Sequence, residues 1–164
     1  MSKKLEGNGL WESSRMMLPQ HKEQALSLQN SKPSLKREPP TKKELELMKD
    51  CIILPVALHI VEKNCREIEL SGQTLKLLYA AAAKVLAGHI REDLQQSRKR
   101  LAEQSIRMFE EAKDDTQLTY RYVCRGYEDK LLLTKDFMRA EISLKIGRYA
   151  RSLAAAIQKA ARDR

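Results

Sequence analysis

Aromatic residues make up only 5% of this 164-residue chain, and histidine, cysteine and glycine are also scarce, with three, three and six copies. Each shortage excludes something. With so few rings, a core has to be built from Leu, Ile, Val, Ala and Met, which suits helices better than a stacked sheet. The six glycines form no G-x-x-x-x-G-K, G-x-G-x-x-G or G-x-S-x-G arrangement, so phosphate-cradling loops and the nucleophile elbow are absent. His21, His59 and His89 make no H-x-x-x-H or H-E-x-x-H pair, and no Glu-x-x-His motif marks a carboxylate-bridged metal pair. His59 and His89 are therefore expected to be structural, with no metal and no cofactor. Cys51, Cys65 and Cys124 are odd in number and widely spaced, against a disulfide framework or a zinc site. On one helix, Cys51 and Cys65 would lie about 21 Å apart, beyond disulfide reach. Buried reduced thiols are the expectation. Long apolar runs are missing too. The most apolar stretch, Cys51 to Val61, contains Pro55 and His59 and is too short to span a bilayer. No apolar segment follows Lys3 and Lys4, so no signal peptide is read and a cytoplasmic location is expected.

What the chain has in quantity is charge, 32% of residues, with a net +9. The excess sits at the ends. Residues 1–43 carry nine Lys/Arg against four Asp/Glu, and residues 128–164 carry nine against five, while 44–127 balance. Such ends attract phosphates or acidic surfaces through salt-sensitive electrostatics, and they also keep a protein in solution. The carboxylates Glu62, Glu67, Glu69, Glu92 and Asp93 read as helix-surface charges offsetting neighbouring Lys and Arg rather than as an acid–base pair. No catalytic residue is assigned, and an enzyme is not expected.

Along the chain, residues 1–28 form an arm and 29–40 a Pro/Ser/Lys linker that includes Pro33, Pro39 and Pro40. The arm holds the only tryptophan, Trp11, beside Met16, Met17 and Leu18, and an exposed Trp in such company is expected to dock on a surface. A folded region is expected over 41–164. Thr41 and Glu44 spell a capping box that starts a helix, with Pro55 expected to kink or break it. Apolar residues on most sides of this helix make it a central core element. Ser71-Gly72 ends it. A second helix is expected from about Gln73 to Gln104, burying Leu75, Leu78, Ala82, Val85, His89 or Ile90, Leu94 and Leu101, with the alanines at 80–83 allowing close approach. Alternation then marks a β-hairpin near 105–125, with Leu118, Tyr120, Tyr122 and Cys124 on one face and Gly126 closing it. A final helix is expected from near Glu128 to about Ala161, with Met138, Ile142, Ile146, Tyr149, Leu153 and Ile157 as its core stripe. The expected fold is mostly α within an α+β class: a bundle of three long helices with a hairpin inserted before the last, α-α-β-β-α.

The arm also carries a motif. Trp11, Glu12, Ser14, Arg15 and Met16 are followed by Leu18, Pro19 and His21, an order that resembles the N-terminal signature of YolD-like proteins over about residues 4–23. Members of that family occur in Gram-positive bacteria and their prophages, often encoded beside Y-family, error-prone DNA polymerases. The resemblance implies a partner role in DNA-damage tolerance, with Trp11, Glu12, Arg15, Met16, Leu18 and His21 as the partner-binding residues and a Y-family polymerase as the partner. The primary expectation is a non-catalytic accessory protein. The alternative is a DNA-binding or regulatory protein using Arg121, Arg125, Arg148, Lys159 and Arg162, since Tyr120 to Tyr127 interleaves basic and aromatic residues as nucleic-acid binders do. The oligomeric state is left open.

Overall fold

The computed structural model describes residues 37–163. Over them, helix α1 (Lys42–Leu70) is followed by α2 (Lys76–Glu103), strands β1 (Ile106–Lys113), β2 (Gln117–Cys124) and β3 (Tyr127–Thr134), and helix α3 (Lys135–Arg162). The order is thus α-α-β-β-β-α, with three strands in one antiparallel sheet rather than the expected two-stranded hairpin.

Helix α1 starts where the capping box places it. The Thr41 hydroxyl accepts from the Glu44 N–H at 3.3 Å, and the Glu44 carboxylate accepts from the Thr41 N–H at 2.7 Å, satisfying two donors that a helix start leaves open. Pro55 does not divide the helix, which runs through it as one 29-residue element. Its missing N–H deprives the Cys51 carbonyl of its helical partner. The buried residues flanking it on both sides, Ile52, Ile53, Leu54 and Ala57, hold the path. This helix contributes to all three clusters of the core, against the sheet, α2 and α3.

Helix α2 packs antiparallel on α1 through small residues. Ala80 and Ala87 are buried, and the Cys65 thiol reaches the Ala80 carbonyl at 3.6 Å, a distance that only a close helix approach allows. Ile90, Leu94 and Leu101 continue the buried line.

The sheet has the order β1-β2-β3. A register shift between Glu110 and Ala112 marks a bulge at Glu111 in β1. Leu118, Tyr120, Tyr122 and Cys124 share the inward face as alternation requires, joined by Leu131 and Leu133 of β3. The strand missed by pattern reading is β3. Its run of Glu128, Asp129 and Lys130 followed by three leucines has no β-branched alternation, so it reads as the start of a helix. Tertiary pairing overrides that propensity. Cys124 pairs with Tyr127 across a two-residue turn, with φ +47 at Arg125 and +82 at Gly126. Two successive left-handed residues make a type I′ hairpin, whose first position favours Asn or Asp. Arginine there disguises the turn, so Gly126 reads as an end rather than a centre.

Helix α3 consequently begins at Lys135, capped by the Thr134 hydroxyl accepting from the Phe137 N–H at 3.3 Å. Met138, Ile142, Ile146, Tyr149 and Leu153 face the core, but Ile157, the last member of the expected stripe, is outside it. Among the described residues, no helix is long and apolar enough to cross a membrane.

Candidate protein-docking surface

Two of the five basic residues singled out for nucleic acid are already engaged. Arg125 forms a bidentate pair with Glu44, Nη1 to Oε1 at 2.6 Å and Nη2 to Oε2 at 3.2 Å, tying the β2–β3 turn to the start of α1. Its buried Nε makes no hydrogen bond. Arg121 pairs with Glu128 at 2.6 Å and lies over the Phe109 ring at 5.2 Å on the outward face of the sheet. Beside it, Lys130 holds Glu111 at 2.9 Å across the bulge. Tyr122 is buried and Tyr120 half-buried, so these rings pack inward and form no stacking platform.

The guanidinium of Arg125 and the Thr41 N–H together hold the Glu44 carboxyl down to a pKa of about 2 from an ordinary 4.5. A carboxylate depressed in the fold stabilises it fully above pH 4.5, and that contribution fades as pH drops through the interval down to about 2. Acid titration of the folded protein by circular dichroism is expected to show a loss on the order of 2 kcal/mol across that window, with Glu44→Gln abolishing this component. An unchanged acid limb in Glu44→Gln would contradict it.

The remaining three, Arg148, Lys159 and Arg162, lie on α3, as does Arg151. At 100° per residue, Arg148, Arg151, Lys159 and Arg162 fall within an arc of about 80°. None of the four makes an ion pair among the described residues, whereas Lys145 on a neighbouring face is paired with Asp50 at 2.6 Å. Lys159 and Arg162 complement the helix C-terminal dipole, but Arg148 and Arg151 are too far from the end for that to account for them.

The more unusual surface is apolar. Half of the stripe expected to bury α2 is exposed: Leu75 by 53%, Leu78 by 60% and Val85 by 46%. The helix is rotated from its expected orientation in its N-terminal half because the alanines, not the leucines, meet α1. A cleft of ≈ 280 Å³ lies between α2 and α3, lined by Ala82, Ala83, Leu86, Ala150, Leu153, Ala154 and Ile157. The Tyr149 hydroxyl donates to Asp93 at one end of this seam, and Ala82 and Ile157 line its other end, so the two helices run antiparallel. Burial and the Asp93 carboxylate push the Tyr149 phenol pKa well above its ordinary value, keeping it a donor.

Composition held a signal for this surface that the single-stripe reading missed. Leu75, Leu78, Ala82, Val85 and His89 step by three and four as a narrow seam, while Ala83, Leu86, Ala87, Ile90 and Leu94 form a second apolar line beside it. A helix apolar on two adjacent faces has more apolar surface than one core needs. His59 and His89, expected to be structural, are both exposed, and no group of His, Cys, Asp or Glu suited to a metal occurs among the described residues. Trp11, Glu12, Arg15, Met16, Leu18 and His21 lie outside the described residues.

A model of the YhjD protein family matches residues 39–154, more than half of the chain. The chain belongs to the YhjD protein family. This finding overturns the YolD-like resemblance, which rested on about twenty residues lying wholly outside the matched region. A short motif in a segment with no described packing carries much less information than a match over all three helices and the sheet. The Y-family polymerase and prophage associations rested on that resemblance alone. The YhjD match includes the capping box, the Arg125–Glu44 clamp and both walls of the cleft as far as Ala154. No curated protein and no solved structure matches the chain.

Proposed function

We propose that this YhjD-family chain is a non-catalytic interaction protein that receives a protein partner on the exposed seam of α2. The observation that carries this reading is the burial pattern: Leu75 at the N-cap of α2 and Leu78 and Val85 on it are exposed, while Ala80, Leu86, Ala87, Ile90, Leu94 and Leu101 are its buried apolar residues. Exposed apolar side chains gathered on one face beside a preformed cleft mark interaction sites. The alternative of duplex DNA on Arg121, Arg125, Arg148, Lys159 and Arg162 has less support, because Arg121 and Arg125 are spent on Glu128 and Glu44.

The double substitution Leu78→Asp, Val85→Asp tests the proposal. Both positions are on the surface, so thermal stability is expected to change by less than about 0.5 kcal/mol-equivalent per site. Affinity purification from the host with wild-type and variant baits, quantified by mass spectrometry, is expected to reveal at least one protein depleted tenfold or more by the variant. Identical profiles, or a variant that no longer folds, would overturn the reading.

A further inference from the structure

We infer that the cleft between α1 and the far end of β1 binds a small zwitterion with an apolar side chain, of the class of a free apolar α-amino acid such as leucine or phenylalanine. The site shares no residue with the exposed seam of α2.

The bulge in β1 builds the site. Met108 pairs with Tyr122 and Glu110 with Tyr120, and beyond the bulge Lys113, not Ala112, pairs with Leu118. Residues directly opposite each other in an antiparallel pair point to the same face of the sheet. Tyr122, Tyr120 and Leu118 face inward, so Met108, Glu110 and Lys113 face inward with them. Without the extra residue at Glu111, Ala112 would stand opposite Leu118, and Lys113 would turn to the outward face. The inward row of β1 therefore runs from an apolar residue to two opposite charges.

Those charges line a cleft of ≈ 350 Å³, near the lower end of the range for small-molecule pockets, so its occupant is small. The rest of the lining is mainly apolar: Ile52, Pro55 and Val56 from α1, Met108 and Leu118 from the sheet, and Met138 from α3. Burial pushes the Cys51 thiol up to about 11, so this lining residue adds no charge near neutral pH. An apolar pocket with a few convergent polar groups is the common form of a small-molecule site.

The charges select the ligand. Glu110 and Lys113 are neighbours in the inward row, yet neither forms an ion pair among the described residues. Glu110 accepts from the Tyr120 hydroxyl at 3.2 Å, and burial pushes the phenol upward, so it stays a donor. An ammonium and a carboxylate carried on one carbon answer Glu110 and Lys113 together, while the side chain on that carbon fills the apolar part of the cleft. A fatty acid would answer Lys113 alone, and an apolar amine or a peptide N-terminus Glu110 alone.

Calorimetric titration of the full chain with L-leucine, L-phenylalanine and glycine tests this. Leucine and phenylalanine are expected to bind with a Kd on the order of 1 mM or tighter, because both charges are open to solvent. Glycine, without the apolar side chain, should bind at least tenfold more weakly. N-acetyl-leucine lacks the ammonium and leucinamide the carboxylate, and each should also lose at least tenfold. Glu110→Gln and Lys113→Met are each expected to weaken leucine at least tenfold. Both positions are exposed, and thermal unfolding checks that each variant is folded. Absence of leucine and phenylalanine binding up to about 10 mM would overturn the inference and leave the two charges as guards of an edge strand against pairing with other chains. Leucinamide or N-acetyl-leucine binding as well as leucine, or leucine binding indifferent to both substitutions, would overturn it as well.

Discussion

Replacing Arg125 with methionine is expected to lower the unfolding free energy by about 2–3 kcal/mol, measured by urea denaturation at neutral pH. The substitution leaves the Glu44 carboxylate, 6% exposed, without its bidentate partner. Removing one member of a shielded pair costs more than the pair is worth, because an uncompensated charge remains out of water. The guanidinium is itself about one-third exposed, which sets the expectation below the range for fully buried pairs. Two further variants separate the contributions. Arg125→Asn places a residue suited to a left-handed φ at the turn and removes the same pair, so it should lose less than Arg125→Met. The double variant Arg125→Met, Glu44→Gln should recover part of the loss, because no unpaired carboxylate remains. A loss under about 0.5 kcal/mol for Arg125→Met would show that the pair is screened like an ordinary surface contact.

Ile90→Ala is expected to cost about 3–4 kcal/mol, and Val85→Ala less than about 0.5 kcal/mol, on the same helix and by the same measurement. Ile90 has no exposed surface and packs with Leu54, Val61, Leu86 and Leu94, so truncation loses its transfer free energy and leaves a cavity. Val85 is nearly half exposed and loses little. The contrast tests the rotation of α2 directly. If Val85→Ala proves the costlier change, the leucine-bearing face is the one against α1, and the docking surface proposed here does not exist. Equal small losses would mean that α2 contributes little to the core at all.

That rotation shows why the exposed face of α2 is hidden from a one-dimensional pattern. The alternation of apolar and polar residues locates α2 well, because 3.6-residue periodicity is a property of the chain. Which of two adjacent apolar lines faces inward is settled by the neighbour. Helix α1 offers Leu54, Leu58, Val61 and Cys65, and large residues there require small ones opposite. Ala80, Ala83 and Ala87 meet that requirement, so Leu75, Leu78 and Val85 are displaced outward. The cleft with α3 does not exist until both helices are placed.

By itself, the sequence determined the starts and centres of the elements whose instructions are local. Thr41 and Glu44 cap α1, the inward parity of Leu118, Tyr120, Tyr122 and Cys124 follows from the two-residue period of a strand, and Met138 to Leu153 form the buried stripe of α3. Only the tertiary structure decided the third strand, the orientation of α2 and the use made of Arg125. In each case the deciding interaction joins residues distant in the chain or a partner that local pattern cannot name: β2 pairing with a run of charged and leucine residues, α1 choosing alanines, and Glu44 meeting Arg125 across 81 positions. Local chemistry sets what an element can be, and non-local pairing sets which of its faces is left for function.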